Sequence, residues 1–118
     1  MVLIGLVWLS SAGEQSSATE ELTFSMVQAD IANGAKLYDV RTPAEFAAGH
    51  FSGAINYSVE TLEAGKLPSD PTTTKLYVYC RSGNRSATAA SILEKAGYQV
   101  VDLGGLPNVQ ALGGTLVQ

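Results

Sequence analysis

From Leu22 onward, short apolar runs alternate with stretches whose apolar residues recur at helical spacing, so strands and helices are expected to take turns along the chain. "ELTF" reads as a short apolar strand, followed by a helix from Met26 to Asn33 with Ser25 as N-cap and Gly34 at the C-cap position. "KLYDV" reads as a buried strand. "TPAEFAAG" predicts one or two helical turns that open with Thr42 as cap and Pro43 at the first helical position and stop at Gly49. "GAINYS" predicts a further strand, "VETLEAG" a short helix and "LPSDPTTT" a proline-containing turn. The strongest strand is "KLYVYC", whose aromatic, aliphatic and β-branched residues run directly into Cys80. "SATAASILEKAG" then predicts a helix with Gly97 past its end, "YQVVDL" a final strand, and "LPNVQALGGTLVQ" a helix-poor, uncharged tail.

Strands separated by helices need crossover connections, which implies an α/β domain with a mostly parallel sheet of about five strands, covered by helices on both faces. In such sheets ligands bind beyond the carboxyl ends of the strands, the kind of position that Cys80 occupies. A chain of 118 residues holds one domain, placed at 22–118. Ahead of it, 1–13 carry an apolar run, Val2 to Leu9, and then small residues, as in a signal peptide, and 14–21 form a polar linker. This reading implies export to a periplasmic or extracytoplasmic location. The run lacks a basic flank, since the first cation is Lys36, so a vector-derived or truncated start, or an apolar segment packed on the domain of a cytoplasmic protein, stays open.

Composition narrows the partners. A net charge of −4 and a pI near 4.8 leave no basic cluster to neutralise phosphates, which sets nucleic acid aside. One cysteine and one histidine supply neither an internal disulfide nor a metal-ligand set, so no metal is expected.

The single cysteine lies in "YVYCRSGNRSATAA", where two of only seven cations, Arg81 and Arg85, crowd around it. A free cysteine is ordinarily a small buried hydrophobe, but "RSGNR" is polar, cationic and poor core material. On a tight loop between strand and helix, with Gly83 free to take positive φ, several backbone N–H groups would converge on the sulfur at a helix N-terminus. That setting favours the thiolate. The Cys80 pKa is therefore expected below that of a free thiol, with Arg81 and Arg85 adding positive charge, and the thiolate would act as a nucleophile.

With these residues in view the sequence resembles the single-domain rhodaneses, the thiosulfate sulfurtransferase family. "LYDVRTPAEFAAGHFSGAIN" is similar to the family's first signature, "YVYCRSGNRSATAA" to its active-site strand, loop and helix, and "LEKAGYQVVDLGGL" to its closing helix, strand and Gly-Gly turn. "GAKLYDV" supplies the lead-in, and together the segments cover about residues 22 to 106. The tail resembles that of small exported members of the phage-shock type.

The resemblance implies a rhodanese-like fold and a persulfide mechanism without a separate cofactor. Cys80 would take sulfur from thiosulfate or a similar donor and pass it to cyanide, a thiol or a protein acceptor, while the backbone of Arg81, Ser82, Gly83, Asn84 and Arg85 cradles the persulfide. Ser82 and Ser86 are candidate hydroxyl donors, with Ser86 also readable as a helix-start residue. Arg85 would also tie the loop to the domain. The six residues from Cys80 to Arg85 match the family's sulfur-transfer length, one short of its phosphatase relatives.

Asp39, Arg41 and Glu45 are expected to form a hydrogen-bonded brace near the loop. His50 would sit in a packing turn, Tyr57, Tyr77 and Tyr79 in or beside the core, and Gly104 and Gly105 in a turn next to the pocket. The alternative to an enzyme is a sulfur-carrier or protein-binding module with little thiosulfate turnover of its own. The natural donor and acceptor and the oligomeric state stay open.

Overall fold

The computed structural model describes residues 21–118; the proposed signal-like segment and nearly all of the linker lie outside them. In chain order the elements are α1 (Phe24–Ala32), β1 (Lys36–Asp39), α2 (Pro43–Ala48), β2 (His50–Phe51), β3 (Ala54–Asn56), α3 (Val59–Glu63), β4 (Lys75–Tyr79), α4 (Asn84–Lys95), β5 (Gln99–Gly104), α5 (Leu106–Ala111) and β6 (Leu116–Val117). Four strands form a wholly parallel sheet in the order β3-β1-β4-β5, and β2 and β6 make a separate antiparallel pair.

The sheet's two faces explain why the strand sequences are apolar throughout rather than alternating. Along β4, Leu76 and Val78, continued by Cys80, face a cluster completed by Val59, Leu62, Ala89 and Leu93 from α3 and α4. Tyr77 and Tyr79 point the other way, toward Phe24, Val27, Phe51 and Val109. Each fully buried aliphatic side chain contributes roughly 1.5–3 kcal/mol relative to an exposed one.

Three local readings are corrected. "ELTF" is not a strand: Thr23 caps α1, its hydroxyl accepting from Met26 N at 3.2 Å, so Phe24 and Ser25 are already helical. Phe24 and Val27, three positions apart, then share one buried helix face, which a strand could not arrange, and the central sheet has four strands. Helix α4 begins at Asn84, two residues before the expected start, because Gly83 at φ 106° turns the chain straight into it. Finally, β5 is followed by more structure. Pro107 falls in the first turn of α5, where it costs no hydrogen bond, and Leu116–Val117 pair with His50–Phe51.

Successive connections leave β1 toward β3 and β4 toward β5, on opposite sides of the sheet. The reversal between β1 and β4 opens a crevice at their carboxyl ends, the usual ligand position in such sheets. Asp39 closes β1 there and Cys80 follows β4.

Candidate active site

Cys80 is anchored by its backbone, which donates to Gly104 O at 2.9 Å and so extends the sheet one step past β4. The chain then curls so that Gly83 N–H donates to Cys80 Sγ at 3.0 Å. Ser86 Oγ, one turn into α4, accepts from the Cys80 thiol at 3.5 Å and donates its own proton to Gly83 O at 3.1 Å. Both Cys80 and Ser86 are fully buried at 0% exposure, so the thiol is held inside the loop rather than displayed on it. Burial alone would push its pKa up. Once the thiol ionises, the Ser86 hydroxyl can turn from Gly83 O to the sulfur, and with the backbone N–H groups of Ser86, Gly83 and Ser82 it outweighs burial and holds the pKa below its ordinary value.

The loop is braced from two sides. Gly105 lies directly against it: a Cβ there would sit 2.6 Å from Arg81 O and 3.0 Å from Ser82 Cα, so only glycine allows the approach. Leu106 N then donates to that same Arg81 O at 3.0 Å. On the other side Arg85 clasps Glu45 with two bonds, Nη1 to Oε1 at 2.7 Å and Nη2 to Oε2 at 3.1 Å. Glu45 belongs to a capping box in which Thr42 N donates to its Oε1 at 3.0 Å and its own N–H donates to Thr42 Oγ1 at 3.2 Å. The Arg85 hydrogen bond is the largest cause that holds Glu45 at about 2 rather than 4.5.

The expected brace of Asp39, Arg41 and Glu45 is thus two structures. Arg41 pairs with Asp39, its Nη2 lying 2.6 Å from Oδ2, and both are buried. Tyr79 O–H donates to the same Asp39 oxygen at 2.7 Å and accepts from Phe51 N at 3.1 Å, while Arg41 Nη2 donates to Gly49 O at 2.6 Å. Asn56 Nδ2 donates to Asp39 O and Arg41 O at 3.1 and 2.9 Å. Glu45 faces Arg85 instead. Arg81, Ser82 and Asn84 are exposed on the loop's outer side. His50 stacks on Phe46 at 3.8 Å, with Nδ1 2.9 Å from Phe46 O, and is committed to the α2–β2 corner.

Sequence reasoning missed Tyr79 and Asn56 as parts of this support. An apolar strand gave no sign that the Tyr79 hydroxyl would meet Asp39. Asn56, a polar residue closing a strand run, was the available signal for a side chain that satisfies backbone carbonyls. Among the described residues no group of three or more His, Cys, Asp or Glu could hold a metal ion.

A parallel sheet with a cysteine at its crevice, wrapped by backbone donors at a helix N-terminus, defines a class of thiolate-bearing α/β domains. The rhodanese-like domain family matches residues 23–112, and the chain belongs to that family. It is 38% identical over 72 residues to the thiosulfate sulfurtransferase GlpE of Pseudomonas aeruginosa, covering 58% of this chain and 62% of that protein. A mitochondrial protein of Schizosaccharomyces pombe with a thiosulfate sulfurtransferase name is 40% identical over 75 residues, covering 53% of each. The chain thus spans about half the length of that relative. Among solved structures, a rhodanese with anions from E. coli superposes with a TM-score of 0.61 at 29% identity, covering 71% of this chain and 98% of that one.

Proposed function

We propose that the protein is a sulfurtransferase that moves sulfane sulfur through a persulfide on Cys80. The observation that carries the reading is the convergence of the Gly83 N–H and the Ser86 hydroxyl on a buried thiol held below its ordinary pKa. Family membership and relatives named thiosulfate sulfurtransferase support it. The Cys80 thiolate attacks the outer sulfur of thiosulfate. The sulfur–sulfur bond of the donor breaks, its electron pair leaves with sulfite, and the anionic persulfide Cys80–S–S⁻ remains. Cyanide or a thiolate then attacks the terminal sulfur, and the bonding pair returns to Cys80 Sγ.

The donors that favour the thiolate also suit the persulfide anion, whose charge lies one bond further out. A cage of six residues from Cys80 to Arg85 fits a single sulfur better than a tetrahedral phosphate, which argues for sulfur over phosphoryl chemistry. Thiocyanate formation from thiosulfate and cyanide tests the reading: the wild type turns over, and Cys80→Ser is folded and silent. The carrier alternative draws on the 0% exposure of Cys80, which favours holding sulfur over rapid exchange. Slow turnover with a stable protein-bound persulfide would select it.

A further inference from the structure

Three hydrogen bonds close a ring at the base of the cysteine loop: the Cys80 thiol donates to Ser86 Oγ at 3.5 Å, the Ser86 hydroxyl donates to Gly83 O at 3.1 Å, and Gly83 N–H returns to Cys80 Sγ at 3.0 Å. A further bond decides what the ring can do. Ala87 N–H also donates to Gly83 O, at 3.1 Å, as a backbone bond of the first turn of α4. That carbonyl therefore keeps a partner when the Ser86 hydroxyl leaves it, and the hydroxyl can turn without orphaning a buried acceptor. A serine hydroxyl carries one proton, so it serves Gly83 O or the sulfur and never both at once. Arg85 cannot take its place, because both terminal nitrogens of the guanidinium are held by Glu45.

We propose that Ser86 is a catalytic residue of the discharge half-reaction, its hydroxyl turning from Gly83 O to Cys80 Sγ as the persulfide breaks and that sulfur becomes the leaving group. This rests on the sulfur-transfer reading. Cyanide attacks the outer sulfur of Cys80–S–S⁻, the sulfur–sulfur bond breaks, its electron pair returns to Sγ, and thiocyanate leaves with the outer sulfur and its charge. Ser86 keeps its proton throughout and supplies a hydrogen bond only. In the persulfide Sγ is an uncharged sulfide and a weak acceptor, so the hydroxyl stays on Gly83 O; in the departing thiolate Sγ carries a full charge. A bond that strengthens along the step in this way lowers its barrier. Ser86 is fully buried, so the side of Sγ that it occupies is closed, and the outer sulfur enters and leaves elsewhere. Loading runs in the other direction: there the same bond stabilises the attacking thiolate, and removing it makes each thiolate a stronger nucleophile.

The test compares Ser86→Ala with the wild type on each half-reaction separately. The substitution leaves Gly83 O with Ala87 N–H and puts a good helix former in α4, so the variant should fold. Discharge of preloaded persulfide by cyanide should slow several-fold. Loading from thiosulfate, measured above the thiol pKa of both proteins so that each is wholly thiolate, should be unchanged or faster. A loop merely loosened by the substitution would slow both together. Equal discharge rates in the folded variant, or equal slowing of the two half-reactions, overturns the proposal.

A second measurement keeps this apart from the function itself. Methyl methanethiosulfonate converts Cys80 to Cys80–S–S–CH3 with loss of methanesulfinate, a derivative that does not depend on sulfur uptake from thiosulfate. The thiolate of dithiothreitol attacks the methyl-bearing sulfur, the bonding pair returns to Cys80 Sγ, and this release should slow several-fold in Ser86→Ala. Slowed release where thiosulfate adds no sulfur to the wild type would overturn sulfur transfer while sparing the role of Ser86. Equal release from both proteins would overturn that role.

Discussion

At the scale of the residue, the chemistry of Cys80 rests on hydrogen bonds more than on neighbouring cations. Its sulfur receives Gly83 N–H at 3.0 Å with Ser86 Oγ at 3.5 Å, whereas Arg85 spends its donors on Glu45. Removing the hydroxyl by Ser86→Ala should therefore raise the thiol pKa, because the thiolate loses a donor that can turn toward it. Arg81→Ala should move it much less. Thiolate ultraviolet absorbance against pH is the right readout, because a fully buried sulfur makes alkylation report access as well as charge. An unmoved titration in a folded Ser86→Ala variant would contradict this assignment. The cysteine loop could be recognised from sequence because cations, serines and a glycine interrupt an otherwise apolar passage. The dual bonding of Ser86 could not, since a serine in a first helical turn is equally at home as a capping residue.

At the scale of the element, two junctions hold the loop, and each has its own signature. Gly105 lets β5 and α5 press on the carbonyl of Arg81, so Gly105→Ala should cost about 1–3 kcal/mol in chemical denaturation and disturb the thiol titration with it. Normal stability and an unchanged titration would show that the loop yields freely. The second junction is the Arg85–Glu45 clasp between α4 and α2. Because the folded-state pKa of Glu45 is depressed from 4.5 to about 2, its stabilisation is fully present above the unfolded value and fades as pH falls through 2. Both partners are partly exposed, so the effect should be on the order of 1 kcal/mol. Glu45→Gln should flatten that acid limb, and an identical limb in the variant would remove the clasp from the account. Here sequence reading stopped short for a physical reason. Glu45 and Arg85 are 40 positions apart, and only the crossover through β4 brings them together. Likewise "ELTF" is too short for its periodicity to separate strand from helix, and Pro107 disguised the helix whose first turn it occupies.

At the scale of the whole molecule, the alternation of apolar strands and helices was enough to give a parallel α/β sheet with both faces covered. Neither the order β3-β1-β4-β5 nor the crevice it opens could be read from periodicity, because strand order depends on which connection reverses. At that crevice the buried Asp39–Arg41 pair joins the end of β1 to the α2–β2 turn through Gly49 O, and through Tyr79 to β4. Asp39→Ala would strand a buried guanidinium and should cost about 3–5 kcal/mol, read as a fall in the denaturation midpoint. A loss below 1 kcal/mol would mean that water already satisfies Arg41.

We propose that this architecture forms and holds sulfur on one thiol. The most direct test is the intact mass of the protein after incubation with thiosulfate, beside Cys80→Ser. The account predicts a gain of about 32 Da, one sulfur atom, confined to the wild type and lost on adding cyanide. No gain in the wild type, or an equal gain in Cys80→Ser, would contradict it.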